Sequence, residues 1–359
     1  MRILLFGEYS GLFNHLKAGL QLLGHEVVTA SDGNGYKNFE RDVDWRANQK
    51  LGRFMHAVEL CKVYEQRAKL KGYDVVLLIS PSVFSRYRFV NKPVVDFLLK
   101  NNDKVFLSGA GMTPVVARYW YNSTDKYHNY LMGNIKDNPS LSYRLDEKAS
   151  EWEYELLDRI DGYIPIWYEY AQPFRGHPRM TRTLRIPIDL SKLEYVPNVV
   201  KGKIVFFHGI PSRHNAKGTQ YIRDAFSRME KKYGDVAEFV CAGGLPFNEY
   251  MKIVERTNVI LDDANSCSIA MNGLFSLAKG KIVMGGAEPV ANKELGLEWN
   301  PVYNLCPDVD QICSCIEDVI EKRDQIEEMG KKCREFVEHY HNCKDIAAQY
   351  IEVFNNYHR

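Results

Sequence analysis

The sequence predicts an α/β chain made of two Rossmann-like βα domains, each with a parallel sheet. Three observations carry this. The chain has 359 residues, too long for one core and close to two domains of ordinary size. It opens on a strand–helix–strand pattern of short apolar runs. The same pattern restarts after a segment with two prolines near residue 195.

In the first half, "RILLFG" (2–7) reads as a buried parallel strand ending in Gly. A helix follows, with Leu12, Leu16, Leu20 and Leu23 at helical spacing and Gly24 as its C-cap. "EVVTAS" (26–31) is the next strand, so the opening is a right-handed βαβ unit. Residues 37–72 are polar and charged, with helical spacing from about Arg53 to Leu70. "DVVLLIS" (74–80) is a strand, "VVDFLLKNN" (94–102) a helix and "KVFLSGAG" (104–111) a strand. "EYELLDRIDGYIPI" (153–166) supplies a helix and then a strand. "TLRIPIDLSKLEYVPNV" (183–199) is the linker.

In the second half, strands are expected at 203–209, 237–244, 258–264 and 281–286. Helices are expected at 218–234, 247–257 and 269–280. Two more finish the chain, 308–323 and 325–357, the second with a break. The expected division is 1–195, 196–335 and a C-terminal helix, 336–359, returning to the first domain.

Lys and Arg number 47 against 46 Asp and Glu, a net charge of +1. That balance argues against nucleic acid as a partner. No window approaches 18 apolar residues, so no membrane span is expected, and the N-terminus lacks the apolar length of a signal peptide. The eight Cys form no CxxC pair and read as reduced thiols of a cytoplasmic protein. The basic stretch with Arg175, His177, Arg179, Arg182 and Arg185 reads equally as a solvated loop or as a surface for a phosphate-bearing acceptor or the inner face of a membrane.

Ligands of open parallel sheets bind beyond the carboxyl ends of the strands. "GEYSG" (7–11) sits at such an end but is not GxGxxG, so no nicotinamide fingerprint is present. Its small residues, Gly11 among them, either admit a ligand or only make a tight turn. Glu8 and His15 are the candidate general bases near it. Ser108–Gly111 is a similar small-residue end. "SRHNAKGT" (212–219) is the more specific signal: Arg213 and Lys217 precede Gly218 at a helix start, where unpaired N–H groups and the dipole favour phosphate. "DDANSCSIAMNG" (262–273) adds donors for the same anion, with Ser268 read alternatively as an N-cap. Asp262 and Asp263 are read as partners of those cations or, less well, as metal ligands. Glu288 in "GGAEPV" is read as an acceptor for ribose or sugar hydroxyls, or as a solvated carboxylate.

These stretches resemble GT-B fold glycosyltransferases of the family 4-like group that builds bacterial surface polysaccharides. "LQLLGHEVV" looks like that group's "L…L…GHEV", and "RIPIDLSKLEYVPN" like its crossover segment. "FFHGIPSRHNAKGTQYI" is similar to its strand–loop–KGT segment, "FVCAGG" to its glycine-bearing strand end, and "TNVILDDANSCSIAMNGLFSLAKGKIVMGG" to its nucleotide-sugar region. The resemblance implies two domains facing across a cleft, the first binding a saccharide or lipid-linked acceptor and the second a nucleoside-diphosphate sugar, with hexosyl transfer between them. It implies donor contacts at His208, Arg213, Lys217, Gly218, Gly243, Ser266, Ser268, Asn272 and Glu288, and no essential metal or cofactor. Matching "LAKGKIV" to the group's "MAxGKPV" puts Cys267 and Phe275 where many members carry two glutamates; Asn272, one helical turn before Phe275, is read as the replacement for the lost polar group. A nucleotide-sugar epimerase or hydrolase of the same fold, or a non-catalytic partner subunit, are the alternatives.

Overall fold

Strand β1 (Arg2–Phe6) is apolar on both faces because it is central: Leu4 stands opposite Val28 of β2 (Glu26–Ser31) and opposite Val76 of β4 (Val75–Leu78). This computed structural model describes residues 1–85, 87–244 and 247–358. The chain folds into two units. The first comprises residues 1–116, 144–189 and 341–359; the second comprises 117–143 and 190–340.

In the first unit a parallel sheet runs in the order β3-β2-β1-β4-β5-β6, with β3 at Val43–Asp44, β5 at Lys104–Gly109 and β6 at Gly162–Pro165. That 3-2-1-4-5-6 order is doubly wound, and its switch point lies between β1 and β4. Its helices are α1 (Leu12–Leu22), α2 (Met55–Glu65), α3 (Arg88–Asn101), the start of α4 (Pro114–Tyr121), α6 (Glu147–Leu157), the short α7 (Tyr168–Ala171) and α14 (Cys343–Asn356). Helix α5 (Tyr127–Asp137) belongs to the second unit. Helix α14 packs on α1.

The second unit's sheet is also parallel, in the order β8-β7-β9-β10-β11. The strands are β7 (Ile204–Gly209), β8 (Ala237–Ala242), β9 (Val259–Leu261), β10 (Ile282–Gly285) and β11 (Tyr303–Asn304). This is a 2-1-3-4-5 order, so its switch point falls between β7 and β9. Around it are α8 (Thr219–Tyr233), α9 (Phe247–Arg256), α10 (Met271–Ala278), α11 (Pro289–Glu294), α12 (Val309–Glu321) and α13 (Ile326–Tyr340). Ile204 and Phe206 of β7, Leu261 of β9 and Met284 of β10 form a core with Ile222 and Phe226 of α8 and Ile316 of α12. Burying each such side chain contributes about 1.5–3 kcal/mol.

Both parallel sheets are as the sequence predicts. Several elements differ in detail. The two-residue strands β3 and β11 are too short to show periodicity. Helix α3 begins at Arg88 and carries Pro93 in its second turn. Helix α10 begins at Met271, two residues after the expected start. The expected break near the C-terminus falls between Tyr340 and Cys343.

Candidate functional site

The C-terminal ends of β7 and β9 flank the second switch point, and two loops meet there. After Gly209 the chain runs through Ile210–Lys217 and enters α8 from Gly218, whose φ of 68° is left-handed. A Cβ at that glycine would also lie 3.2 Å from Ala264 Cβ, in the loop after β9. The loops are stitched together: Ala264 N–H donates to Lys217 O (3.1 Å), and Asn265 Nδ2 donates to Ala216 O (2.8 Å).

Within this seam Lys217 Nζ lies 2.6 Å from Asp262 Oδ1, which also accepts from Asn272 Nδ2 at 3.0 Å. Burial disfavours both charges, yet each outweighs that cost for the other. Lys217 is held above its ordinary pKa and Asp262 below. Asp263 is the converse case. Burial raises its pKa, and its carboxylate accepts from Asn265 N–H (2.8 Å), Ser266 N–H (3.1 Å) and Ser266 Oγ (2.8 Å), fixing the turn after β9.

His208 has no solvent exposure. Its Nδ1 is 2.8 Å from Leu261 O and its Nε2 3.0 Å from Thr219 Oγ1. A carbonyl only accepts, so Nδ1 carries the proton and Nε2 accepts from the threonine hydroxyl. Burial pushes the ring pKa down to about 4, keeping it neutral. The ring braces β7, β9 and α8; both its nitrogens are engaged within the fold.

The remaining predicted residues are placed as follows. Arg213 is exposed, its Nη1 3.4 Å from Asn134 Oδ1. Ser268 is buried, and α10 is preceded by Ala270 with no side-chain cap, which corrects the reading of Ser268 as the N-cap. Gly243 is exposed after β8. Glu288 precedes α11 and pairs with Lys126 Nζ at 2.7 Å while accepting from Asn304 Nδ2 at 3.0 Å. Burial opposes its charge, and Lys126 with Asn304 overcomes this and lowers its pKa.

Lys126 belongs to residues 117–143, which sequence periodicity in βα units does not reach. Helix α5 of this segment braces the basic loop: Asp137 accepts from Ala216 N–H (3.1 Å) and Asn215 Nδ2 (2.6 Å). At Gly133 a Cβ would lie 2.5 Å from the backbone of Ala216, so loop and helix meet main chain to side-chain-free face. The thiol of Cys267 donates to Asp125 Oδ1 at 3.1 Å. The signal for this helix was its apolar and amide face, Tyr127, Leu131 and Asn134 at helical spacing.

In the first unit, Gly7, Ser10 and Gly11 all have positive φ (95°, 56° and 88°) at the β1/β4 switch point. Glu8 is buried and caps α1, accepting from Asn14 Nδ2 (2.8 Å), Asn14 N–H (3.1 Å) and Phe13 N–H (3.4 Å). Burial raises its pKa against those bonds. His15 Nδ1 accepts from Asp189 N–H at 2.8 Å. Glu153 of α6 is not singled out by the sequence. It is buried, its Oε2 accepts from Val115 N–H at 3.2 Å, and its Oε1 has no hydrogen-bond partner among the described residues. Burial pushes its pKa up to about 7.

Among the described residues, no group of three or more His, Cys, Asp or Glu is placed to hold a metal ion. Likewise, no described helix is long and apolar enough to cross a membrane.

No family model matches the chain. No curated protein matches it in sequence. Solved structures do match. Sucrose-phosphate synthase from Thermosynechococcus elongatus has TM-score 0.65 at 13% identity, over 99% of this chain and 98% of that one. Anabaena HepE in complex with UDP-glucose has TM-score 0.59 at 12% identity, over 98% and 99%. UDP-GlcNAc 2-epimerase from Neisseria meningitidis, bound to UDP-GlcNAc, has TM-score 0.57 at 12% identity, over 99% and 100%. The chain therefore has the GT-B fold that these structures share.

Proposed function

We propose that this protein is a glycosyltransferase that moves a sugar from a nucleoside-diphosphate sugar to a saccharide or lipid-linked acceptor in surface polysaccharide synthesis. The second unit takes the donor and the first the acceptor. The observation that carries the reading is the basic loop at the β7/β9 switch point, where Arg213, Lys217 and the N-terminus of α8 come together. The chemistry needs charge stabilisation on a departing nucleoside diphosphate, which fixed cations and helix amides supply. Arg213 is the exposed cation and binds the diphosphate in a fork; Lys217 is shared between Asp262 and the ligand. Asn272 and Ser266 act by holding Asp262 and Asp263 in place. Ser268 and Gly243 line the donor site, and Glu288 meets the ribose or sugar hydroxyls from its Lys126 pair. On the acceptor side Glu8 holds its helix, and His15 can serve as base only once its Nδ1 leaves the Asp189 amide. The protein works in the cytoplasm, against the inner membrane face where the acceptor is lipid-linked.

A second reading, epimerisation or hydrolysis of the donor alone, is favoured by the full-length likeness to the Neisseria epimerase. One paired assay separates them. UDP-, GDP-, ADP- and dTDP-sugars are incubated alone, then with saccharide and lipid-linked acceptors, and products are resolved by mass spectrometry. The transferase reading expects sugar on the acceptor and release of nucleoside diphosphate only when acceptor is present. An isomerised or hydrolysed donor without acceptor would replace it with the second reading.

A further inference from the structure

At the opposite, N-terminal end of the second sheet lies a cavity of about 790 Å³. It opens where the chain enters β7, β8, β9 and β10, with Lys203, Glu238, Asn258 and Lys281 beside the first residues of those strands. The candidate donor site is at the other end. Along β9, Asn258 lines the cavity and Asp262 lies in the donor site, four residues or about 13 Å away at ~3.3 Å per residue.

Three features make this cavity more than a gap between surface lysines. Its charge is one-sided: Lys201, Lys252 and Lys281 line it beside Glu255, while Glu238 is held by Arg256 at 2.5 and 2.8 Å and Lys203 donates to Gly234 O. Lys281 is itself buried, its ammonium donating to Thr257 O (2.6 Å) and Glu255 O (3.1 Å) at the end of α9, with no carboxylate in ion-pair range among the described residues. The floor is pre-formed. Asn258 Nδ2 donates to Asn198 Oδ1 (2.9 Å), Asn198 Nδ2 returns a bond to Asn258 O (3.0 Å), and Asn258 Oδ1 accepts from Val205 N–H (3.0 Å).

One wall is apolar, formed by Val196, Pro197, Val199 and Val205. An inorganic anion would leave that wall and most of the volume unused. A ligand with a phosphate for the lysines and a ring for the valines and proline fills both, and the volume falls in the range of small-molecule sites. We propose that this cavity binds a small organic phosphate, of the size of a nucleoside monophosphate or sugar phosphate, separately from the donor site.

The test is isothermal titration of the full chain with AMP, UMP and glucose 6-phosphate at about 0.15 M salt, where exposed charges are screened. Adenosine and inorganic pyrophosphate are the comparators. Saturable binding of at least one phosphate is expected, at least tenfold tighter than adenosine or pyrophosphate. The double variant Lys201→Glu, Lys252→Glu changes exposed residues only and is expected to weaken it at least tenfold. Arg213→Ala, in the donor site, is expected to leave it unchanged. The nucleotide arms against the sugar phosphate arm identify which ring is preferred. No saturable binding by any of the three, equal binding of adenosine or pyrophosphate, or binding lost in Arg213→Ala and kept in the double variant would each overturn the proposal. The last of these would place the phosphate at the β7/β9 end, while the first two leave the reading of that end untouched.

Discussion

Lys217 Nζ and Asp262 Oδ1 are 2.6 Å apart at the β7/β9 switch point, so the lysine that the sequence offers to a phosphate already has a carboxylate partner. On the proposed reading, a donor shares Lys217 with Asp262 rather than meeting a bare cation. Removing Asp262 takes the hydrogen-bonded carboxylate from a largely buried ammonium, which costs up to about 3–5 kcal/mol. Asp262→Ala is expected to lower the melting temperature by several degrees, and added pyrophosphate is expected to restore more of that loss than it adds to the unmodified protein. Differential scanning fluorimetry with and without pyrophosphate reads both.

Arg213 is exposed and makes one long contact to Asn134, so it contributes little to folding. Arg213→Ala is expected to leave the melting temperature within about a degree, in line with the ±0.5 kcal/mol typical of surface substitutions. Its binding of a nucleotide sugar is expected to weaken ten- to a hundredfold, as for loss of a charge-assisted fork. Calorimetric titration checks the affinity, and a melt checks the stability.

Two buried histidines, His208 in the second unit and His341 in the first, have pKa values pushed down to about 4 by burial. Each is neutral in the fold, while the unfolded chain takes up a proton below its ordinary value of about 6.5. The unfolded state thus binds more protons between pH 6.5 and 4, and stability falls as pH drops through that window. The slope is on the order of 1.4 kcal/mol per pH unit for each ring. Melting curves from pH 7 to 4 are expected to show this loss, and His208→Asn is expected to flatten it.

Glu153 has the opposite sign. Its folded pKa is raised to about 7, so the fold retains a proton that the unfolded chain loses near pH 4.5. The stability this group contributes is present below pH 4.5 and is lost as pH rises through 7. Glu153→Gln mimics the protonated carboxyl. It is expected to match the unmodified protein at pH 4.5 and exceed it at pH 8 by on the order of 2 kcal/mol, measured by chemical unfolding at the two pH values.

Much of the scaffold is legible in the sequence, because apolar runs such as "RILLF" and "IVFF" announce strands buried on both faces. The loop of Arg213 and Lys217 is legible too, since two cations before a glycine at a helix start is a local pattern. What the pattern hides is the use of each group. The pairing of Lys217 with Asp262 joins residues 45 positions apart, and the sequence offers it only as one alternative. The family resemblance makes His208 a ligand contact, and in the fold its neighbours Leu261 and Thr219 engage both nitrogens. Glu288 reads as a loop carboxylate, and its partner Lys126 lies 162 positions earlier in a segment with no strand to mark it. Local spacing cannot report such contacts, because they depend on which loops the sheet order brings together.

The proposed donor site stands on the β7/β9 switch point holding a nucleoside diphosphate. Its most direct test is calorimetric titration of UDP, GDP, ADP and dTDP into the full chain and into Arg213→Ala. One-site binding of at least one of them, weakened at least tenfold by the substitution, is expected. No binding by any of the four, or binding indifferent to Arg213, would contradict it.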